Sequence, residues 1–175
     1  MSEFLKPFLK KMNLIEIGRI HTPFKHATGT PIQPCRAVGT EGFIKINRLY
    51  VPGLKDLEGF DRIWLVFWCH RAADAKMLVV PYRDIVERGL FATRAPARPN
   101  PLGLSCVRLI GIEDDILRIA EVDVLDDTPL LDIKPYVPQY DNYPVQQCGW
   151  VDTVPQREVI ADARFERQAP ESDCP

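Results

Sequence analysis

Sixteen prolines in 175 residues, most of them between short apolar runs, cut this chain into pieces too short for long helices. Proline within a helix removes a backbone donor and clashes with the preceding turn, and it biases the residue before it toward extended backbone. The pieces that remain are strand-sized. Leu14–Ile20, Gly42–Ile46, Ile63–Cys69, Ser105–Ile112 and Ile116–Val124 are rich in β-branched and apolar residues. Ile63–Cys69 is apolar without a break, which predicts a strand buried on both faces. Glu113-Asp114-Asp115 predicts a tight hairpin between the last two strands. Leu54–Gly59 reads as one helical turn closed by glycine, and Asp84–Arg88 is ambiguous, with a helix as one option. Asp126–Tyr143 reads as irregular and proline-rich, and the residues beyond Val154 as a polar extension. Strands and helices do not alternate, so a doubly wound nucleotide fold is not supported. The expected architecture is mainly β: a single-sheeted antiparallel β-barrel of about five to seven strands with few short helices. We divide the chain into an extension at 1–12, the barrel domain at 13–155 and a tail at 156–175.

Charge is informative by position rather than in total. The net charge of −2 gives no general attraction to nucleic acid. Lys25, Arg36, Lys45 and Arg48 nevertheless make 25–48 basic, as Arg83, Arg88, Arg94, Arg98 and Arg108 do for 83–108, whereas 113–132 is strongly acidic. A fold that joins the two basic stretches presents a positive face to phosphate. The five cysteines have no C-x-x-C spacing and cannot all pair within the chain, which suits a reducing compartment and a cytoplasmic location. His21, His26 and Cys35 lack a fourth ligand at a recognisable spacing, so no metal is expected. Residues 1–11 lack the apolar stretch of a leader, and no run reaches membrane-spanning length, so no membrane partner is expected.

Residues 91–105 hold two arginines, three prolines and one glycine, and they read as a stiff cationic loop mounted on the strand that follows. Guanidinium groups bind carboxylates and phosphates through paired hydrogen bonds, so Arg94 and Arg98 are candidates for an anionic ligand. The bland alternative is a surface loop with two solvated arginines. Neither G-x-G-x-x-G nor G-x-x-x-x-G-K-[ST] occurs among the ten glycines, and G-x-S-x-G is missing as well. Any ligand must therefore be held by loops at a barrel mouth.

The loop 91–105, read with Asp123–Pro138, Thr22-Pro-Phe-Lys25, Pro31-Ile-Gln-Pro34 and Leu57–His70, resembles the TsaA/TrmO (YaeB-like) family. The likeness covers roughly 13–140 and keeps the motifs in order. It implies an S-adenosylmethionine-dependent tRNA methyltransferase that acts on N6 of threonylcarbamoyladenosine beside the anticodon, built as a β-barrel homodimer. By motif, the cofactor would contact Gln33, Pro34, Cys35 and Arg36, then His70 and Arg71, then Arg94 and Leu104, with Ala120, Glu121, Val122 and Asp123 completing the pocket. Ile32, Asp61-Arg62 and Asp127 depart from common members, which have arginine, Ser-His and glycine at those places.

Methylation at a delocalised ureido-type nitrogen is helped by loss of its proton, and either Asp126 or His70 could accept it. The threonyl carboxylate is an anion for Arg94, Arg98 or Lys134, while Tyr136 could stack on a base or pack a dimer seam. The competing classes are a non-catalytic S-adenosylmethionine- or RNA-binding regulatory module and a methyltransferase of another acceptor.

Overall fold

The computed structural model describes residues 12–155 and 160–167. The extension expected at 1–12 lies outside them apart from Met12, as do 156–159 and 168–175 of the tail. Six strands close into one antiparallel barrel: β1 (Gly18–His21), β2 (Glu41–Ile46), β3 (Arg62–Trp68), β6 (Leu102–Glu113), β7 (Ile116–Ala120) and β8 (Thr128–Pro135). Their order around the ring is β1-β2-β7-β6-β3-β8, and closure leaves no free sheet edge. A separate two-stranded ribbon, β4 (Leu78–Val79) with β5 (Arg88–Gly89), projects from the β3–β6 connection.

Alternation along each strand fills the barrel. Ile20, Ile44, Ile46, Ile63, Leu65, Phe67, Val107, Leu117, Ile119 and Leu130 point inward and are buried. Each such side chain contributes about 1.5–3 kcal/mol by leaving water. Gly103 is required by this packing, because a Cβ there would come within 2.1–2.7 Å of three carbons on the edge of the Phe67 ring.

Several expectations are corrected. Ile63–Cys69 is not buried on both faces: Ile63, Leu65 and Phe67 face the interior, while Trp64, Val66 and Trp68 lie half-buried outside, since a closed barrel has only one interior. The first strand begins at Gly18, after an exposed Leu14 and Ile15, and the strand from Ile116 stops at Ala120. Leu54–Gly59 gives way to two 3-10 turns, Arg48–Leu54 and Leu57–Gly59, and Asp84–Arg88 forms a turn leading into β5. Residues 102–105 belong to β6, so the stiff loop ends earlier than its proline content suggested.

Thr128–Pro135 is a strand despite two prolines. The β8 ladder to β1 covers Thr128–Leu130, and the ladder to β3 covers Leu130–Pro135. Pro129 and Pro135 therefore each have a neighbour on one side only, which leaves a free side for the missing N–H.

The connections 22–40, 69–101 and 121–127 all leave from the same end of the barrel. β7 and β8 stand three places apart in the ring, so 121–127 must cross the mouth from one wall to the opposite one. Glu121 and Asp127, with φ of +59° and +60°, turn the chain into and out of this crossing. Val122 and Val124, 0% and 3% exposed, point down and seal the core. Their neighbour Asp123 is left on the other side, facing the mouth.

Candidate functional site

The crossing segment forms the floor of the site. Asp123 accepts a hydrogen bond from Ser105 Oγ at 2.7 Å. Burial pushes its carboxyl up to about 6, although the Ser105 hydroxyl, its own amide and the Arg94 charge all oppose the rise. No lysine or arginine is bonded to it among the described residues, so it is a nearly buried acid without a cation.

Two loops stand above this floor. Pro34 opens the 3-10 turn Pro34–Arg36, and the Gln33 amide is fixed by a 2.6 Å bond from its Nε2 to the Ile32 carbonyl. Gln33 Oε1 is thereby presented to Arg94, whose Nη1 donates to it at 2.6 Å. On the other loop, Ala95 and Ala97 are buried, and their alternation turns Arg94 outward. Leu104, 57% exposed, follows on β6 one residue before Ser105. Cys35 and Arg36 are exposed, and Pro34 is half-buried.

His70 lies just past the end of β3. Burial and the adjacent Arg71 charge lower its pKa, so the ring is neutral at neutral pH. Thr128 Oγ1 donates to the Leu125 carbonyl at 2.7 Å and lies 3.4 Å from His70 Nδ1. That hydroxyl is then the acceptor for Nδ1–H, which leaves Nε2 as the basic nitrogen. Asp126 is held differently: it accepts from the Thr22 amide at 3.0 Å and from Lys25 Nζ at 2.5 Å, with His21 Nδ1 at 3.5 Å. Burial alone would raise its carboxyl, but the bonds from Lys25 and Thr22 prevail and hold it below the ordinary value. It is the weaker base of the two. Arg71 pairs with Glu166 and donates to the Lys25 carbonyl.

Other expected residues lie elsewhere or are already engaged. Arg98 folds back, its Nη1 donating to the carbonyls of Thr93 at 3.1 Å, Ala95 at 3.4 Å and Leu90 at 3.5 Å, and its guanidinium covers Phe91. It holds the loop together rather than facing the mouth. Lys134 pairs with Asp132 at 2.8 Å on the exposed side of β8, and Tyr136 packs on Trp64 at 5.9 Å. Both belong to the end of β8 that pairs with the start of β3, away from the mouth. Ala120 and Val122 are buried, and Glu121 is paired with Arg62 at 2.5 Å, so of residues 120–123 Asp123 alone offers a free side-chain group. Ser105, Lys25, Thr128 and Glu166 are partners that the sequence did not single out. A serine inside a buried apolar strand was the one available sign.

Residues 19–142 match the tRNA-methyltransferase O N-terminal domain. The chain belongs to this family. Every mouth residue named above except Glu166 falls within the matched span. The chain is similar to a probable S-adenosyl-L-methionine-binding protein of Pyrococcus abyssi, with 49% identity over 78% of this chain and 74% of that protein. It is 30% identical to the tRNA (adenine(37)-N6)-methyltransferase of Escherichia coli, over 87% of this chain and 70% of that enzyme. The crystal structure of TrmO from Pseudomonas aeruginosa superposes with a TM-score of 0.68 at 35% identity, covering 80% of this chain and 62% of that one. The chain thus spans less than two thirds of that solved family member. Among the described residues no group of three His, Cys, Asp or Glu could hold a metal ion, and no helix is long and apolar enough to cross a membrane.

Proposed function

We propose that this chain is an S-adenosylmethionine-dependent tRNA methyltransferase acting on N6 of threonylcarbamoyladenosine next to the anticodon. Family membership and the likeness to the Escherichia coli tRNA (adenine(37)-N6)-methyltransferase support the class. The observation that carries the proposal is the nearly buried Asp123 carboxyl, bonded to Ser105 and to no cation, at a mouth where Gln33 holds the Arg94 guanidinium whose charge it feels. Such a pair of opposite charges suits a ligand that bears both a cationic centre and a carboxylate. S-adenosylmethionine, when bound, supplies an electrophilic methyl group on a cationic sulfur.

The protein's own part is positioning and proton removal. Gln33 orients Arg94, Asp123 provides the buried anion, and Pro34, Cys35, Arg36 and Arg71 frame the mouth. His70, neutral at neutral pH, accepts the proton that leaves the substrate nitrogen. Asp126 holds Lys25 and the Thr22 turn and is the poorer acceptor. A homodimer and a cytoplasmic location belong to the same proposal. The outer faces of β3 and β6 expose Leu102 and Leu104 beside Trp64, Val66 and Trp68, an apolar strip that a second copy would cover, and the free cysteines suit a reducing compartment.

The test is mass spectrometry of tRNA nucleosides from cells with and without the chain, together with methyl transfer by the purified protein to threonylcarbamoylated tRNA. His70→Ala should lower kcat by about 100-fold or more. A second reading, a binding module without transfer, is favoured by the likeness to archaeal relatives described only as S-adenosyl-L-methionine-binding, such as the Pyrococcus abyssi protein. Cofactor binding with no methyl reaching any tRNA would decide for it.

A further inference from the structure

The segment Ile160–Arg167 lies beyond the family domain, which ends at residue 142, yet it touches both loop systems of the mouth. At one end Ile160 bridges Pro31, the Gly29 amide donates to the Ala161 carbonyl at 2.9 Å, and the Ala161 amide donates to the Thr30 carbonyl at 2.8 Å. At the other end Glu166 bridges Ala72, the Ala73 amide donates to the Phe165 carbonyl at 2.9 Å, and the Arg167 amide donates to the Arg71 carbonyl at 2.8 Å. Between them Phe165, 6% exposed, is seated among Val79, Leu90, Ala95 and Ala97. The polar composition beyond Val154 conceals this anchor.

One carboxylate joins the two sides. Glu166 Oε2 accepts from the Ala27 amide at 3.3 Å, and Oε1 pairs with Arg71, whose Nη1 reaches the Lys25 carbonyl. Glu166 is 13% exposed, so its charge is poorly screened by water. The Gln33–Arg94 contact takes one residue from each of the two loop systems that the segment ties together.

We infer that residues 160–167 are a strap that completes the site, and that Glu166 is its positioning residue, fixing Arg71 and both loops so that Gln33 and Arg94 meet. The inference about cofactor positioning rests on the function proposed above. The strap itself does not, because its contacts are all with the two loops.

The test uses the full chain with Glu166→Gln, which keeps an acceptor for Ala27, and Glu166→Ala, which removes it. In the ligand-free protein, hydrogen exchange at Gly29 and Ala161 should accelerate together with exchange at Ala73 and Arg167 in Glu166→Ala, and less in Glu166→Gln. Calorimetry should show affinity for S-adenosylmethionine falling about tenfold, the size of a typical coupling between sites. In turnover, KM for the cofactor should rise while kcat stays within about threefold, the pattern of lost binding geometry rather than lost chemistry. Glu166→Ala placed on an Arg71→Ala background should weaken binding no further, as expected for two residues acting through each other. Accelerated exchange on one side of the mouth only, or unchanged affinity in Glu166→Ala, would overturn the inference. If the unmutated protein binds no S-adenosylmethionine, the proposed function fails, and the exchange data still decide for or against the strap.

Discussion

Replacing Asp123 with asparagine should stabilise the fold at neutral pH while weakening its site. Burial holds the Asp123 carboxyl at about 6 against an ordinary 3.8. A carboxyl raised in this way binds its proton more readily in the folded chain than in the unfolded one. Stability is therefore greatest when it is protonated, falls as pH rises from about 4 to about 6, and is level above that. The difference between the two values amounts to about 3 kcal/mol against the fold at neutral pH, an upper figure because the residue keeps some contact with solvent. Asparagine is nearly the same shape, still accepts from Ser105 and carries no charge. Urea unfolding at about pH 7.5 should thus show a gain of about 2–3 kcal/mol, equal to a rise in Tm of about 4–12 °C for a chain of this size. At about pH 4 the two proteins should unfold alike. Binding of a cationic ligand should weaken in the same variant. A variant no more stable at neutral pH, or equally stabilised at both pH values, would refute the reasoning.

Three further outcomes are expected. Gly103→Ala drives a methyl group into the Phe67 ring and should cost about 1–3 kcal/mol in denaturant unfolding, with Phe67→Leu in the same chain recovering part of the loss. At saturating cofactor, where protonation of Asp123 no longer limits binding, kcat should fall as pH drops through an ionisation below 6.5 and be flat above it, because the His70 base must be neutral, and His70→Gln should abolish that acid limb. Arg94→Ala should lower cofactor affinity by about 10- to 100-fold, whereas Lys134→Ala, which breaks only an exposed pair with Asp132, should leave both affinity and stability within about 0.5 kcal/mol.

Strand content and barrel closure were readable from short apolar runs separated by prolines, and the two-residue turn at Asp114-Asp115 announced its hairpin. β8 was not readable, because its two prolines look like strand breakers until the ladders to β1 and β3 are seen to end at Leu130. The double burial expected of Ile63–Cys69 failed for a related reason: tryptophans count as apolar whether they face a core or cover the outside of a wall. For the site, Gln33, Arg94 and Asp123 were named from motif likeness; the fold joins Gln33 to Arg94 and Asp123 to Ser105. Motif likeness set Arg94 apart as a cofactor contact and left Arg98 to the substrate, but only the fold shows Arg98 turning back onto its own loop carbonyls. Lys134 looked close to Asp126 along the chain, but a strand of eight residues carries it toward the far end. The Glu166 contacts span up to 139 residues, and no local pattern encodes a pairing of that range.

The crossing at 121–127 binds the fate of the core to that of the site. Its side chains alternate between sealing the barrel and facing the mouth, so adding or deleting a single residue between Glu121 and Asp127 would exchange the two sets. Asp123 would then enter the apolar interior, and a valine would take its place above. The loops at 22–40 and 69–101 carry Gln33, His70 and Arg94, but their stretches away from these residues can vary in length without moving the core. Chains descended from a common barrel of this kind should therefore keep the spacing of its floor, whatever the length of the loops around it.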